Sequence, residues 1–336
     1  MGITATGVGS GLDIDGLVTQ LMAAERAPMD RRLFRRESNI TSDISALGSL
    51  KSALSDFKTS LSSANSLSTY QQRNATSSNT DALTVAPSAS AALANYSVSV
   101  EGLAAAQSVA VRDTFIAPSS EVGTGTLTFT FGTTGYTPDT GNPANNANDT
   151  YDSFVAKAGV STKTVTISNA DSTLSGVRDA INRADIGVSA AIVNDGTGYR
   201  LVMTSDATGA ENSVEISVTD TGDSNNTDNN GLSRLAFNSS VGTTNAYQTV
   251  AAADAAFTVN GLSLSSDSNI VANALDGLTV TLKEKTTTAA SLTVTDNAAG
   301  IKGAITSFVE GYNAFNSAVT CLTSFHDSSG GAGALQ

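Results

Sequence analysis

The sequence predicts an α+β protein: a helical coiled-coil stalk built from both chain ends, carrying two β-rich, mainly antiparallel head domains, one inserted in the other. Three observations predict it. Apolar residues recur every seven positions near the N-terminus. A second heptad pattern recurs near the C-terminus. Between the two, the apolar period is two, the period of a strand.

The first 70 residues read as helix. Asp15 can cap its start, and Leu17, Val18, Leu21 and Met22 follow at helical spacing. Pro28 is expected to break or restart the helix, because proline lacks the donor that the ladder needs. Leu33, Ile40, Leu47, Leu54 and Leu61 are then each seven residues apart. Leu50, Phe57 and Ala64 follow three residues after the last three of these, whereas Arg36 and Asp43 hold that position earlier. The pattern is that of a coiled-coil seam, better formed at its C-terminal end. A second helix is expected over residues 298–326, capped by Asp296. In it Ile301, Phe308, Phe315 and Leu322 are spaced by seven, with Ile305, Tyr312 and Val319 beside them. A seam this narrow needs a partner helix, so the two ends are expected to pack together. Whether part of the seam also meets another subunit or a filament is left open by the pattern.

The middle alternates apolar and polar residues. Tyr96, Val98 and Val100 do so, as do Leu127, Phe129 and Phe131, then Val165 and Ile167, then Val188, Ala190 and Ile192. Val214–Val218, Leu278–Leu282 and Leu292–Val294 continue the series. Asn260-Gly261 between Val259 and Leu262 is a strong hairpin signal. Ser and Thr on the other strand faces suit solvated antiparallel sheets. One helix interrupts the strands, with Leu174, Val177 and Ile181 inward and Thr173 or Ser172 as its cap. Residues 132–150 and 220–231 read as long polar loops at exposed tips. The expected division is a flexible N-terminal leg at 1–16 and a stalk of 17–78 with 296–330. The heads are 79–112 with 240–295, and an inserted outer head, 113–239, that holds the one helix.

Composition narrows the function. The chain has 336 residues, a formal net charge of −13, one His and one Cys. One of each excludes zinc clusters and internal disulfides. An acidic balance argues against a nucleic-acid partner. No run of 18 apolar residues exists, so membrane insertion is not expected. The N-terminus lacks the basic and apolar regions of a secretory signal. No P-loop, G-x-S-x-G or H-E-x-x-H is present, and Gly7-Val-Gly9 has no strand before it, so no enzyme, cofactor or metal is expected. The 220–231 loop invites a calcium reading but fails the EF-hand pattern. Cys321 reads as a small, partly buried helix residue, and His326 as a helix-end residue that favours the dipole. Arg26, Arg31, Arg32, Arg35 and Arg36 cluster in an acidic chain. They offer an electrostatic contact to a partner, or a solvated face paired with Glu25 and Glu37.

Several motifs resemble one family. Gly7-Val-Gly-Ser-Gly-Leu-Asp-Ile-Asp-Gly-Leu-Val-Thr-Gln-Leu-Met-Ala-Ala-Glu-Arg-Ala-Pro28 resembles the N-terminal signature of bacterial flagellar filament cap proteins, also called hook-associated protein 2. Residues 172–204 are similar to a repeat of flagellin and hook-associated proteins. Phe257–Leu262, Ala274–Leu282 and Phe308-Val-Glu-Gly-Tyr-Asn-Ala314 match the family in order. The resemblance implies a homo-oligomer, commonly a pentamer-like ring, at the distal flagellum tip outside the cell. It implies export through the flagellar type III apparatus without a cleaved signal, and flagellin as partner, with hook–filament junction proteins as further contacts. The cap would stop flagellin leakage and promote filament growth; the N-terminal leg would touch filament or hook. The alternative is a surface adhesin whose heads bind mucin or host glycans. Against the family pattern, the chain ends where the stalk is expected to turn back, so further C-terminal helices are expected to be missing.

Overall fold

The computed structural model describes residues 13–137 and 149–323. The chain divides into two compact units. One is the β-rich Arg73–Asp296, and the other is made of the residues before and after it.

The helical unit is built on α1 (Ile14–Ala64), the single-turn α2 (Leu67–Tyr70) and α4 (Ala298–Thr323). Two helix starts differ from expectation. Asp13, not Asp15, caps α1, its carboxylate accepting from the Gly16 N–H at 2.9 Å. Asp15 lies within the first turn, where its charge still suits the dipole. Asn297, not Asp296, caps α4 through the Gly300 N–H at 2.9 Å. Asp296 is drawn instead into an ion pair with Arg73 in the β unit. The third difference is Pro28, which neither breaks nor restarts α1. The turn before it is made of small residues, Ala23, Ala24 and Ala27, and the carbonyl it leaves without a donor lies on an exposed stretch that water can reach. The expected helix end at 324–326, with His326, and residues 1–12 of the N-terminal leg lie outside the described residues.

The β unit holds two principal hydrophobic cores. The first lies between two sheets. One has the order β1 (Arg73–Ser77), β16 (Ala290–Asp296), β3 (Asn95–Gly102), β12 (Ala255–Val259), β13 (Leu262–Ser266). The other has β14 (Ile270–Leu275), β15 (Leu278–Leu282), β2 (Leu83–Pro87). The alternating Val98/Val100, Phe257/Val259 and Val280/Leu282 supply the buried faces. β12 and β13 form the expected hairpin: Val259 pairs with Leu262, and Asn260 and Gly261 take φ of 51° and 83°. Both central residues are left-handed, as the two-residue turn that matches strand twist requires.

The second core is larger and comes from residues between Val109 and Ala246. One of its sheets runs β10 (Ser213–Asp220), β5 (Gly125–Thr137), β6 (Thr150–Ala156), with β7 (Lys163–Ile167) also on β5. The other runs β11 (Ala246–Val250), β4 (Ser108–Val111), β9 (Tyr199–Ser205), β8 (Val188–Asn194). Helix α3 (Leu174–Ala184) drives Leu174, Val177 and Ile181 into it. Of its two expected caps, Thr173 serves, accepting from the Gly176 N–H at 3.1 Å. The chain crosses between the two cores at paired Ala105 and Ala253. All pairings in the four sheets are antiparallel, so the α+β class holds.

One expected loop is partly strand. Residues 132–137 extend β5 rather than opening a loop, and pair with β6 from Gly132 opposite Ala156 to Thr137 opposite Thr150. The β-branched and aromatic residues here outweigh the glycines, and Gly132 is needed because a Cβ there would lie 2.2 Å from the Val155 carbonyl oxygen. Residues 138–148 lie outside the described residues.

Candidate assembly interface

The helical unit is where a partner surface is expected, so its packing comes first. α4 starts beside Gln72, whose carbonyl accepts from the Asn297 N–H at 3.0 Å, and runs antiparallel to α1. Midway, the Phe57 ring lies 5.9 Å from Phe308, 6.0 Å from Tyr312 and 5.6 Å from Phe315, the last nearly parallel. Beside this cluster Gly311 comes against Ser60, where a Cβ would meet the hydroxyl oxygen at 2.4 Å. The helices therefore close on small residues, with Phe57 as the large knob between them.

The least exposed positions, buried at Ala46 and half-buried elsewhere, trace the seam. On α1 they are Ala46, Leu50, Ala53, Phe57, Ser60 and Ala64; on α4 they are Ile301, Ala304, Phe308, Gly311, Phe315, Ala318 and Leu322, with Val319 beside them. Steps of three and four alternate throughout, the spacing that keeps one stripe against a partner helix. Leu50, Phe57, Ile301, Phe308, Phe315 and Leu322 were thus legible as seam residues. The second half of each row was not. The small residues Ala46, Ala53 and Ser60, and Ala304, Gly311 and Ala318, also recur every seven positions, and that was the available signal.

The row Leu33, Ile40, Leu47, Leu54 and Leu61 does not face α4. All five are exposed, from 44% at Leu61 to 68% at Leu33. Ile305 and Tyr312 on α4 are half-exposed in the same way. Beyond Ala46 toward the N-terminus the seam positions become Asp43, Asn39, Arg36 and Arg32, which no apolar partner row would match. Arg31, Arg32, Arg35 and Arg36 are exposed, and among the described residues none of them is in an ion pair; the pairs with Glu25 and Glu37 are absent there. Cys321 is exposed, not partly buried.

The 220–231 loop is tied down by Asp220, whose buried carboxylate accepts from the N–H groups of Leu232 at 2.6 Å, Ser233 at 3.2 Å and Gly222 at 2.7 Å. A carboxylate used this way is a loop clamp. Among the described residues no group of three or more His, Cys, Asp or Glu is placed to hold a metal, and no helix is long and apolar enough to cross a membrane. The Tyr136 hydroxyl donates to Asp149. Burial, and then that bond, push the Tyr136 phenol far above its ordinary range, so it stays a neutral donor. Burial likewise raises the Glu215 carboxyl.

Known proteins decide what this architecture belongs to. Residues 10–107 match the model of the flagellar hook-associated protein 2 N-terminus, and 252–336 match that of its C-terminus. The chain belongs to the flagellar hook-associated protein 2 family. It is 34% identical over 317 residues to the B-type flagellar hook-associated protein 2 of Pseudomonas aeruginosa, a match covering 91% of this chain and 60% of that one. Against the Escherichia coli K12 member it is 32% identical over 272 residues, 81% of this chain and 51% of that one. The chain thus spans about half to three-fifths of the length of these curated relatives. Among solved structures, the D1-D2-D3 domains of the flagellar cap protein FliD from Escherichia coli align with a TM-score of 0.68 at 30% identity, covering 84% of this chain and 71% of that one. These family descriptions speak of hook association and a cap, and give the adhesin reading no support.

Proposed function

We propose that this chain is a flagellar filament cap subunit: a homo-oligomer at the distal tip of the extracellular filament that stops flagellin escaping and promotes its polymerisation. The observation that carries the reading is the match to the cap structure over helices and heads together. The packing supports it. A helical unit whose described apolar residues are mostly exposed suits a subunit completed by neighbours. The exposed row Leu33, Ile40, Leu47, Leu54 and Leu61, and the arginines at 31, 32, 35 and 36, are the surfaces we assign to contact with other subunits or with the filament. We take the two β cores as two heads, the outer inserted in the inner. Export through the flagellar type III apparatus fits a chain with one cysteine, since no disulfide has to be made or broken on the way. The mechanism is mechanical: exchangeable contacts beneath the cap let it step as each flagellin inserts. Deleting the gene is expected to abolish filaments and leave monomeric flagellin in the medium. Filaments of normal length in the deletion strain would refute the proposal.

A further inference from the structure

The sequence holds two Asn-Gly pairs, Asn230-Gly231 and Asn260-Gly261. An asparagine before glycine can react with its own backbone. The glycine nitrogen loses its proton and attacks the side-chain Cγ; the Cγ–Nδ2 bond breaks, and ammonia leaves with that proton. Water then opens the five-membered succinimide at either carbonyl. One opening gives aspartate. The other gives isoaspartate, in which the backbone runs through the former side chain and is one methylene longer. The sum is asparagine plus water to either acid plus ammonia. Glycine favours the attack because no Cβ crowds its nitrogen. What then sets the rate is how freely the asparagine can turn to close the ring.

The two asparagines differ in that freedom. Asn260 is left-handed, with φ of 51°, in the tight turn closed by the Val259–Leu262 pair. Its N–H donates to the Ser97 carbonyl at 2.8 Å, and its Oδ1 accepts from the Ser97 N–H at 2.8 Å. Backbone and side chain are both tied to β3, so the hairpin must open before the ring can form. Asn230 lies outside the strands, exposed and extended, with φ of −136° and ψ of 160°. Its Nδ2 donates to Asp223 at 3.2 Å and its N–H to Asp228 at 3.3 Å, both long bonds on an exposed surface.

The chain just after Asn230 has no slack. A Cβ on Gly231 would lie 2.4 Å from the Asp220 carboxylate. On the other side, a Cβ on Gly123 would lie 2.7 Å from the Leu232 nitrogen and 3.1 Å from the Gly231 carbonyl carbon. Gly231 and Leu232 thus pass between the Gly123 backbone and the buried carboxylate that their neighbours clamp. Leu232 is wholly buried in the outer core.

We propose that Asn230 is a site of spontaneous deamidation, that Asn260 is its protected twin, and that isoaspartate at 230 releases the Asp220 clamp. The extra methylene enters just ahead of the Leu232 and Ser233 N–H groups and shifts them off Asp220. The buried carboxylate is left short of donors, and Leu232 is drawn from the core. A carboxylate also replaces the amide that donated to Asp223, putting like charges together. The inference does not rest on the cap reading.

The test incubates the whole chain at mildly alkaline pH, folded and in urea. Trypsin separates the two sites, because cleavage after Arg200, Arg234 and Lys283 puts them on the 201–234 and 235–283 peptides. Mass spectrometry with fragmentation is expected to show Asn230 in the folded chain gaining about one mass unit at least about tenfold faster than Asn260, and the two rates within about twofold in urea. The aged folded chain should lose its β signal at a lower urea concentration than the fresh chain. Asn230→Gln aged in the same way should keep the fresh transition. Asn230 left intact, or modified no faster than Asn260 in the folded chain, would overturn the assignment of the site. A chain carrying isoaspartate at 230 with an unchanged urea transition would overturn the release of the clamp.

Discussion

The two units of this protein satisfy their apolar residues in opposite ways. In the β unit, Phe129, Phe257, Leu83 and Leu201 are at most 2% exposed, and the strands close over two filled cores. In the helical unit, Ala46 is the one fully buried hydrophobic residue among those described, while Leu33 and Met29 are 68% and 75% exposed. The β unit is stable because of its own contacts. The helical unit keeps only a narrow seam and leaves the rest of its apolar surface for something else. The difference teaches where to look for partners: large exposed apolar patches mark interaction surfaces, and among the described residues most of the exposed large apolar side chains lie on the helical unit.

That contrast is breakable by substitution. The largest effect is expected from Phe129→Ala, which empties a fully buried site in the outer core and should cost about 3–5 kcal/mol, read from urea unfolding followed on the β signal. Phe57→Ala removes three ring contacts from a half-buried position and should cost the helical unit about 1–3 kcal/mol, seen as an earlier loss of helical circular dichroism. If Phe57→Ala instead cost as much as Phe129→Ala, the helical unit would hold a core of the β unit's kind. Gly311→Leu sharpens the geometry. Its side chain would strike Ser60, so the same helical transition should fall by about 1–3 kcal/mol despite leucine's better helix propensity. A gain in helical stability from that substitution would place the close approach elsewhere. The smallest effect is expected from Leu54→Ala, within about 0.5 kcal/mol, because the side chain is half-exposed already. A loss of several kcal/mol there, measured on the monomer by thermal melting, would mean that the open row is covered within the chain after all.

Much of this was legible in the sequence. Alternating Val, Phe and Thr located the strands β3, β5, β10 and β15, because a strand with one buried face has a fixed period. Asn260-Gly261 located its hairpin because few residue pairs tolerate two left-handed conformations. The heptads located both long helices. What the heptads could not show was which row faces α4. Leu47 and Leu50 are equally apolar, yet only Leu50 is in the seam. The seam is chosen by closest approach, and Ala53, Ser60 and Gly311 allow an approach that leucine would block. The caps were missed for a similar reason. Asp13 against Asp15, and Asn297 against Asp296, differ only by where the backbone turns and which neighbour competes for the side chain.

By itself, then, the sequence determined the periods, and through them the α+β class, the two long helices and the alternating strands of the heads. Period follows from backbone geometry alone and needs no knowledge of neighbours. The tertiary structure decided which apolar residues are spent on the molecule's own packing and which stay open. That choice depends on interhelical distance, which small side chains set and hydrophobicity does not record. It separates Phe57, held against three rings of α4, from Leu54 three residues earlier, which faces outward beside Lys51 and Lys58.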